Sequence, residues 1–220
     1  MCGKISFSKK FQEKIMKTEG IADLIDAKLH RSRIILYTAW SGLLPTDIRN
    51  VFKQTKDEDK ELINYYKKYV EGLINWDDMA VELAEAVNQR LRYEGDDNNW
   101  GKPEYWASPI NIHRRGIDDC DGYAVLTVYL WGLFGIPAYR RFVRAGNVKE
   151  GGHATAIYLS LKNNEIYPIE GSYYASESIR NFNKIPLYLN TRYGNTWWIT
   201  NEEKSYSGNW FFKFIKGLEE

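Results

Sequence analysis

The stretch Gly116–Leu126, GIDDCDGYAVL, sets one cysteine among three aspartates and runs straight into an apolar segment. From Cys120 to about Phe134 that segment is apolar nearly all round, which predicts a helix buried at the centre of a domain. Gly135 ends it and Ile136-Pro137 leads the chain out. A cysteine at such a helix start has two readings. It can be an inert core residue, or a nucleophile whose thiolate is favoured by unpaired N–H donors and the positive end of the helix dipole.

The surroundings of this helix predict an α+β fold. Upstream, IADLIDAKLH, DEDKELINYYKKYVEGLI and DDMAVELAEAVNQRL carry apolar residues at three- and four-residue spacing, so residues 1 to about 92 read mostly as helix. Asp57 and Asp77 are candidate caps for the second and third of these. Tyr93 to Ile117 reads as a long irregular loop lined with aromatics. Downstream, AYRRFVRA and HATAIYLSL read as strands, Asn163-Asn164 as a turn, and EIYPIEG as the returning strand. An aromatic tail, NTWWITNEEKSYSGNWFFKFIKGL, is expected to pack back on this antiparallel sheet. Residues 1–79 are thus a helical N-terminal region on a core formed by 80–220.

Totals narrow the function classes. The 220 residues suit one domain, and 30 basic against 29 acidic side chains leave no global field to attract nucleic acid or a membrane surface. The aromatics, 8 Trp, 16 Tyr and 9 Phe, are numerous enough to line a cleft as well as fill a core. Two cysteines cannot make a disulfide framework. The first residues, MCGKISFSKKFQEKIMK, contain no apolar signal region, so a cytoplasmic protein is expected.

A nucleophilic Cys120 needs a base and a group to orient that base. His153 is the candidate base: it follows Gly151-Gly152 and opens a strand that would pack on the central helix. Glu170, ending the returning strand, is the candidate acid. With a two-residue turn, Glu170 falls opposite Ile157, on the face of His153 but roughly 13 Å along the strand. The pair therefore requires a wider turn or a bulge. His30 and His113 read as ordinary helix-end and loop residues, and no Cys or His pair has zinc-motif spacing. Arg140, Arg141 and Arg144 read as a solvated basic strand. Cys2, in MCG, has no downstream support as a nucleophile.

Taken together these residues resemble a family. Trp106-Ala107-Ser108-Pro109, Asp119-Cys120-Asp121-Gly122-Tyr123-Ala124, Gly135-Ile136-Pro137, His153-Ala154 and Glu170 follow, in order, the pattern of the transglutaminase-like superfamily. The bacterial transglutaminase-like cysteine proteinases are the nearest in pattern. The resemblance covers about residues 80 to 175 and implies a papain-like fold with a central Cys-bearing helix. It also implies a Cys120–His153–Glu170 triad acting on amide bonds of a peptide or protein through a thioester. The Cys120 backbone N–H would form half of an oxyanion hole, with the Trp106 indole as a second donor; Trp100 and Tyr105 would line the substrate cleft.

Two departures stand out. Glu170 replaces the family's usual Asp, and Gly122 replaces its second acid after the cysteine. Relatives bind calcium through acids flanking their cysteine, so a calcium site here would rest on Asp119 and Asp121; with Gly122 present, no cofactor is expected. The lack of an export signal suits a cytosolic or phage-encoded, virion-associated protein. Asp-Cys-x-Gly also resembles the NlpC/P60 cell-wall peptidases, although none of the three histidines lies beyond His153. The non-enzymatic alternative is a binding or virion structural module on the same scaffold.

Overall fold

The computed structural model describes residues 45–102, 104–148, 151–160, 165–170, 173–174 and 196–207. The helix expected at 21–30, His30, Cys2, the Asn163-Asn164 turn and the end of the aromatic tail lie outside the described residues.

Three helices come first: α1 (Pro45–Val51), α2 (Lys56–Val70) and α3 (Trp76–Arg90). The caps are Thr55 and Asn75, each two residues upstream of the aspartates expected in that role. Thr55 Oγ1 accepts from the Glu58 N–H at 3.3 Å while Glu58 accepts from the Thr55 N–H at 2.7 Å, and Asn75 accepts from the Asp78 N–H at 2.8 Å. A neutral cap leaves Asp57 and Asp77 in the first turn, where their charge meets the positive end of the helix. Leu62, Tyr66 and Val70 form the buried stripe of α2, and Ala80, Leu83, Ala84 and Val87 that of α3. Position 79/80, the expected boundary, falls inside α3, which packs against the central helix.

The segment read as irregular is organised. Strand β1 (Arg92–Tyr93) pairs in parallel with β2 (Ile117–Asp118), Arg92 with Ile117 and Tyr93 with Asp118, closing its base. Within it stand α4 (Asp96–Asn99) and α5 (Pro109–Arg115). Pro109 starts α5 at the position where a missing N–H costs nothing, and Gly116 ends it at φ 69°. His113, read as a loop residue, is buried in α5 with Nδ1 3.3 Å from the Tyr66 hydroxyl.

The central helix, α6 (Cys120–Leu133), is buried at every position from Asp121 to Trp131. Gly135, at φ 86°, ends it. The antiparallel sheet follows: β3 (Arg141–Val148), β4 (Gly151–Ser160), β5 (Glu165–Glu170), β6 (Tyr173–Tyr174), β7 (Thr196–Thr200) and β8 (Ser205–Ser207), in the order β6-β5-β4-β3-β7-β8. Val143, Ala145, Ala154, Ala156 and Tyr158 belong to the core beneath α6, and the alanines let helix and strand approach closely. Helices α2, α3 and α5 fill the sides of α6 that the sheet leaves open. Trp131 ties these layers, its indole donating to Ala80 O at 2.9 Å and its ring meeting Tyr158 edge-on at 5.7 Å.

Two expectations need correction. Arg140, Arg141 and Arg144 are buried, with 8%, 4% and 0% exposure, and form no solvated face. Arg141 instead caps the exit of α6: it donates to Ile136 O at 2.8 Å and to Val128 O at 3.1 Å, and pairs with Glu202. The β4–β5 register also differs. Ala156 pairs with Ile169 and Ser160 with Glu165, so the connection spans four residues. Glu170 is then level with Thr155 rather than Ile157, about 7 Å by strand rise from the level of His153.

Candidate active site

Asp119 sets the start of α6. Its side chain accepts from the Asp121 N–H at 3.1 Å and its carbonyl from the Tyr123 N–H at 3.2 Å, so Cys120 is the first helical residue. Cys120 is a partly exposed residue whose thiol points inward at β4, where the Ala154 N–H donates to its Sγ at 3.4 Å. The chain thereby brings the cysteine to the residue next to His153. His153 is partly exposed and pairs with Gly146 on β3. Of the predicted triad, Cys120 lies against the strand that carries His153, at the following residue Ala154, and Glu170 ends β5 on the neighbouring strand.

The charges around the thiol oppose the effect of the helix end. Burial pushes the Cys120 thiol well above its ordinary range, and the Asp119 and Asp121 carboxylates push the same way, against the N–H of Ala154. A thiolate here requires a cation to accompany it.

These acids belong to a larger cluster that the sequence reading did not assemble. Asp121 is 2% exposed, and among the described residues neither of its carboxyl oxygens has a hydrogen-bond partner. Asp118 is fully buried; its Oδ1 accepts from the Trp100 indole at 3.2 Å and the Asp119 N–H at 3.0 Å, and its Oδ2 has no partner. Asp96, 3% exposed, accepts from the Tyr105 N–H through Oδ2, while its Oδ1 has none. Glu104, exposed, completes the group. Oxygens of Asp96, Glu104 and Asp121 lie within 4.8 Å of one another, as do those of Asp96, Asp118 and Asp119. Burial raises Asp96 and Asp118 to about 6, and burial with the neighbouring Asp96 charge raises Asp119 to about 7. Asp121 is driven well above the carboxylate range, by burial first and then by Asp119 and Asp118.

Gly122 has a direct role in this cluster. A Cβ at that position would overlap the Asp118 carboxyl group. The acid lacking at 122 is therefore matched by one from β2, which occupies the space a side chain would need.

The aromatic residues serve the cluster more than a cleft. The Trp106 indole, expected as an oxyanion donor, donates to Glu104 at 2.7 Å, and its ring packs at a 52° tilt against Trp198 at 5.2 Å. Trp100 holds Asp118 and packs on Tyr105 at 4.9 Å. The signal that could have found Asp96 and Glu104 is their alternation with Trp100, Tyr105 and Trp106 in one segment. An all-oxygen set with orphaned buried atoms suits a hard divalent cation such as calcium.

Neither a family model nor a curated relative matches the sequence. Solved structures do. The chain is similar to Legionella pneumophila LapG at 13% identity and a TM-score of 0.52, over 79% of this chain and 96% of that one. Calcium-bound LapG gives a TM-score of 0.51 at 13% identity, over 78% and 97%. The α+β, papain-like, transglutaminase-like fold implied by the sequence resemblance is thus the fold of the chain. No helix among the described residues is long and apolar enough to cross a membrane.

Proposed function

We propose that the protein is a cysteine hydrolase or acyltransferase acting on amide bonds of a peptide or protein, in the first place a cysteine peptidase. Cys120 is the nucleophile, His153 the general acid and base, and Glu170 the acid that orients His153. The observation that supports this reading is the Ala154 N–H at 3.4 Å from Cys120 Sγ, a contact between the only described cysteine, at a helix start, and the residue that follows His153.

The sequence of steps follows from the placement. His153 takes the thiol proton, and the imidazolium supplies the cation that the acid-rich surroundings of the thiolate demand. The thiolate adds to the substrate carbonyl, and the oxyanion meets the Cys120 N–H at the helix start, where amides lack intrahelical partners. The imidazolium then protonates the departing nitrogen, the C–N bond breaks, and a thioester remains. Water, deprotonated by His153, attacks that thioester; the carboxylic acid leaves and the thiol is restored. A divalent cation held by Asp96, Glu104 and Asp121 would enter none of these steps; it would offset carboxylate charge beside the thiolate.

Glu170 is compatible with its role through the register. Its position is a diagonal neighbour of His153 across β4 and β5, a separation that long side chains bridge.

Alkylation by iodoacetamide at neutral pH tests the reading. Wild type should react at least tenfold faster than His153→Ala, and Cys120→Ala should lose hydrolysis of a casein substrate while keeping its fold. Equal alkylation rates in wild type and His153→Ala would overturn the proposal.

A further inference from the structure

We propose that Tyr93 is a substrate-contacting residue of the Cys120 site, its hydroxyl donating a hydrogen bond to the oxygen of the carbonyl that the thiolate attacks. The assignment rests on the cysteine-hydrolase reading and deepens it. A side chain from β1 would thereby complete an oxyanion site of which the Cys120 N–H, at the start of α6, forms half.

Three observations place the ring. First, Tyr93 pairs with Asp118 in the β1–β2 ladder. Side chains alternate along a strand, so paired residues project to one face. On that face the Asp118 carboxyl lies against the first turn of α6, in the space beside Gly122. Second, the Tyr93 ring packs on Tyr123 at 6.3 Å, tilted by 31°. Tyr123 is three residues beyond Cys120 and shares its face of the helix, and helical side chains lean toward the N-terminus. The two rings therefore flank the turn that Cys120 opens. Third, Tyr93 is 55% exposed, although it stands beside buried carboxylates and a buried tyrosine. Tyr123, by contrast, is buried, with its hydroxyl spent on Leu91 O at 2.7 Å.

The hydroxyl has the chemistry the role needs. Among the described residues it has no hydrogen-bond partner, so its proton is available to a ligand. Burial, and then the negative charges of Cys120, Asp119, Asp121 and Asp96, push its ionisation up to about 12, which keeps it a protonated donor at neutral pH. The Trp106 indole is directed to Glu104. As the C–S bond forms, the carbonyl π pair moves onto oxygen, and Tyr93 keeps its proton while donating to that oxygen. When the pair returns, the C–N bond breaks and the nitrogen takes its proton from the His153 imidazolium. A hydrogen bond to an oxyanion is stronger than one to a neutral carbonyl, so this contact favours the transition state over bound substrate.

Tyr93→Phe keeps the ring on Tyr123 and removes only the donor. In full-length protein, initial rates on fluorescein-labelled casein should give a kcat at least about tenfold below wild type, with KM changed less than about threefold. Alkylation of Cys120 by iodoacetamide displaces iodide and develops no carbonyl oxyanion, so its rate should stay within about twofold of wild type. Wild-type kcat in Tyr93→Phe overturns the proposal. So does an equal loss of alkylation, because the hydroxyl would then act on the thiol rather than on the substrate oxygen. A wild type that hydrolyses no casein and alkylates no faster than His153→Ala overturns the hydrolase reading itself, and the role of Tyr93 with it.

Discussion

The Ala154 N–H donates to Cys120 Sγ at 3.4 Å, joining the second residue of the His-Ala pair on β4 to the first residue of α6. One hydrogen bond therefore anchors the thiol on the strand that carries His153. The same thiol lies between two carboxylates, Asp119 and Asp121. Backbone geometry favours a thiolate at this place, and side-chain charge opposes it.

Titration of Cys120 should expose that opposition. In His153→Ala the pH dependence of alkylation should centre above the ordinary thiol range, because burial and two carboxylates then act on the thiol with no imidazolium to offset them. Asp119→Asn removes one of those charges and should move the midpoint to lower pH. An unchanged or higher midpoint in the variant would contradict the electrostatic assignment.

Stability should fall as pH rises in cation-free protein. Asp96 and Asp118, at about 6, and Asp119, at about 7, are raised above their unfolded values, so the folded state holds protons more tightly. Their contribution is fully present below about pH 4 and is lost as pH climbs through 6 to 7. Melting temperature in EGTA should thus be higher at pH 5 than at pH 8, against the common trend for acidic groups in ion pairs. Flat melting across that window would refute this.

Gly122→Ala should destabilise the protein by about 1–3 kcal/mol, the usual range for forcing extra volume into a packed site. The new methyl group would meet the Asp118 carboxyl. Urea denaturation of the variant and of Gly122→Ala/Asp118→Ala checks it, and the double substitution should recover part of the loss.

Arg141→Ala should cost about 1–3 kcal/mol, chiefly because buried carbonyl acceptors lose their donor, while Glu202, partly exposed, keeps access to water. Those acceptors are Ile136 O and Val128 O at the exit of α6. The chemical denaturation midpoint should drop, with residual alkylation of Cys120 intact below it.

Legibility in the sequence tracked the range of the interactions. The central helix was readable because its signals are local: a segment apolar nearly all round from Cys120 to about Phe134 and a stop at Gly135. The strands around His153 followed from alternation and glycine placement. What escaped was decided at a distance. Thr55 and Asn75 outcompeted nearby aspartates as caps, because a neutral cap frees the acid for the first turn. Arg141 looked solvated until the α6 exit and Glu202, 61 residues later, came to meet it. Asp96 and Glu104 were invisible as partners of Asp121, since only the fold brings their segment to the helix start.

The two-residue ladder between Arg92–Tyr93 and Ile117–Asp118 has a consequence for how such a protein diversifies. It pinches off residues 94–116 as a closed excursion, with its entrance and exit side by side at the threshold of α6. Asp96, Glu104, Trp100 and Trp106 all ride on that excursion, whereas Cys120 and His153 do not. A segment tethered at both ends by one short ladder can change in length or composition while α6 and β4 keep their places.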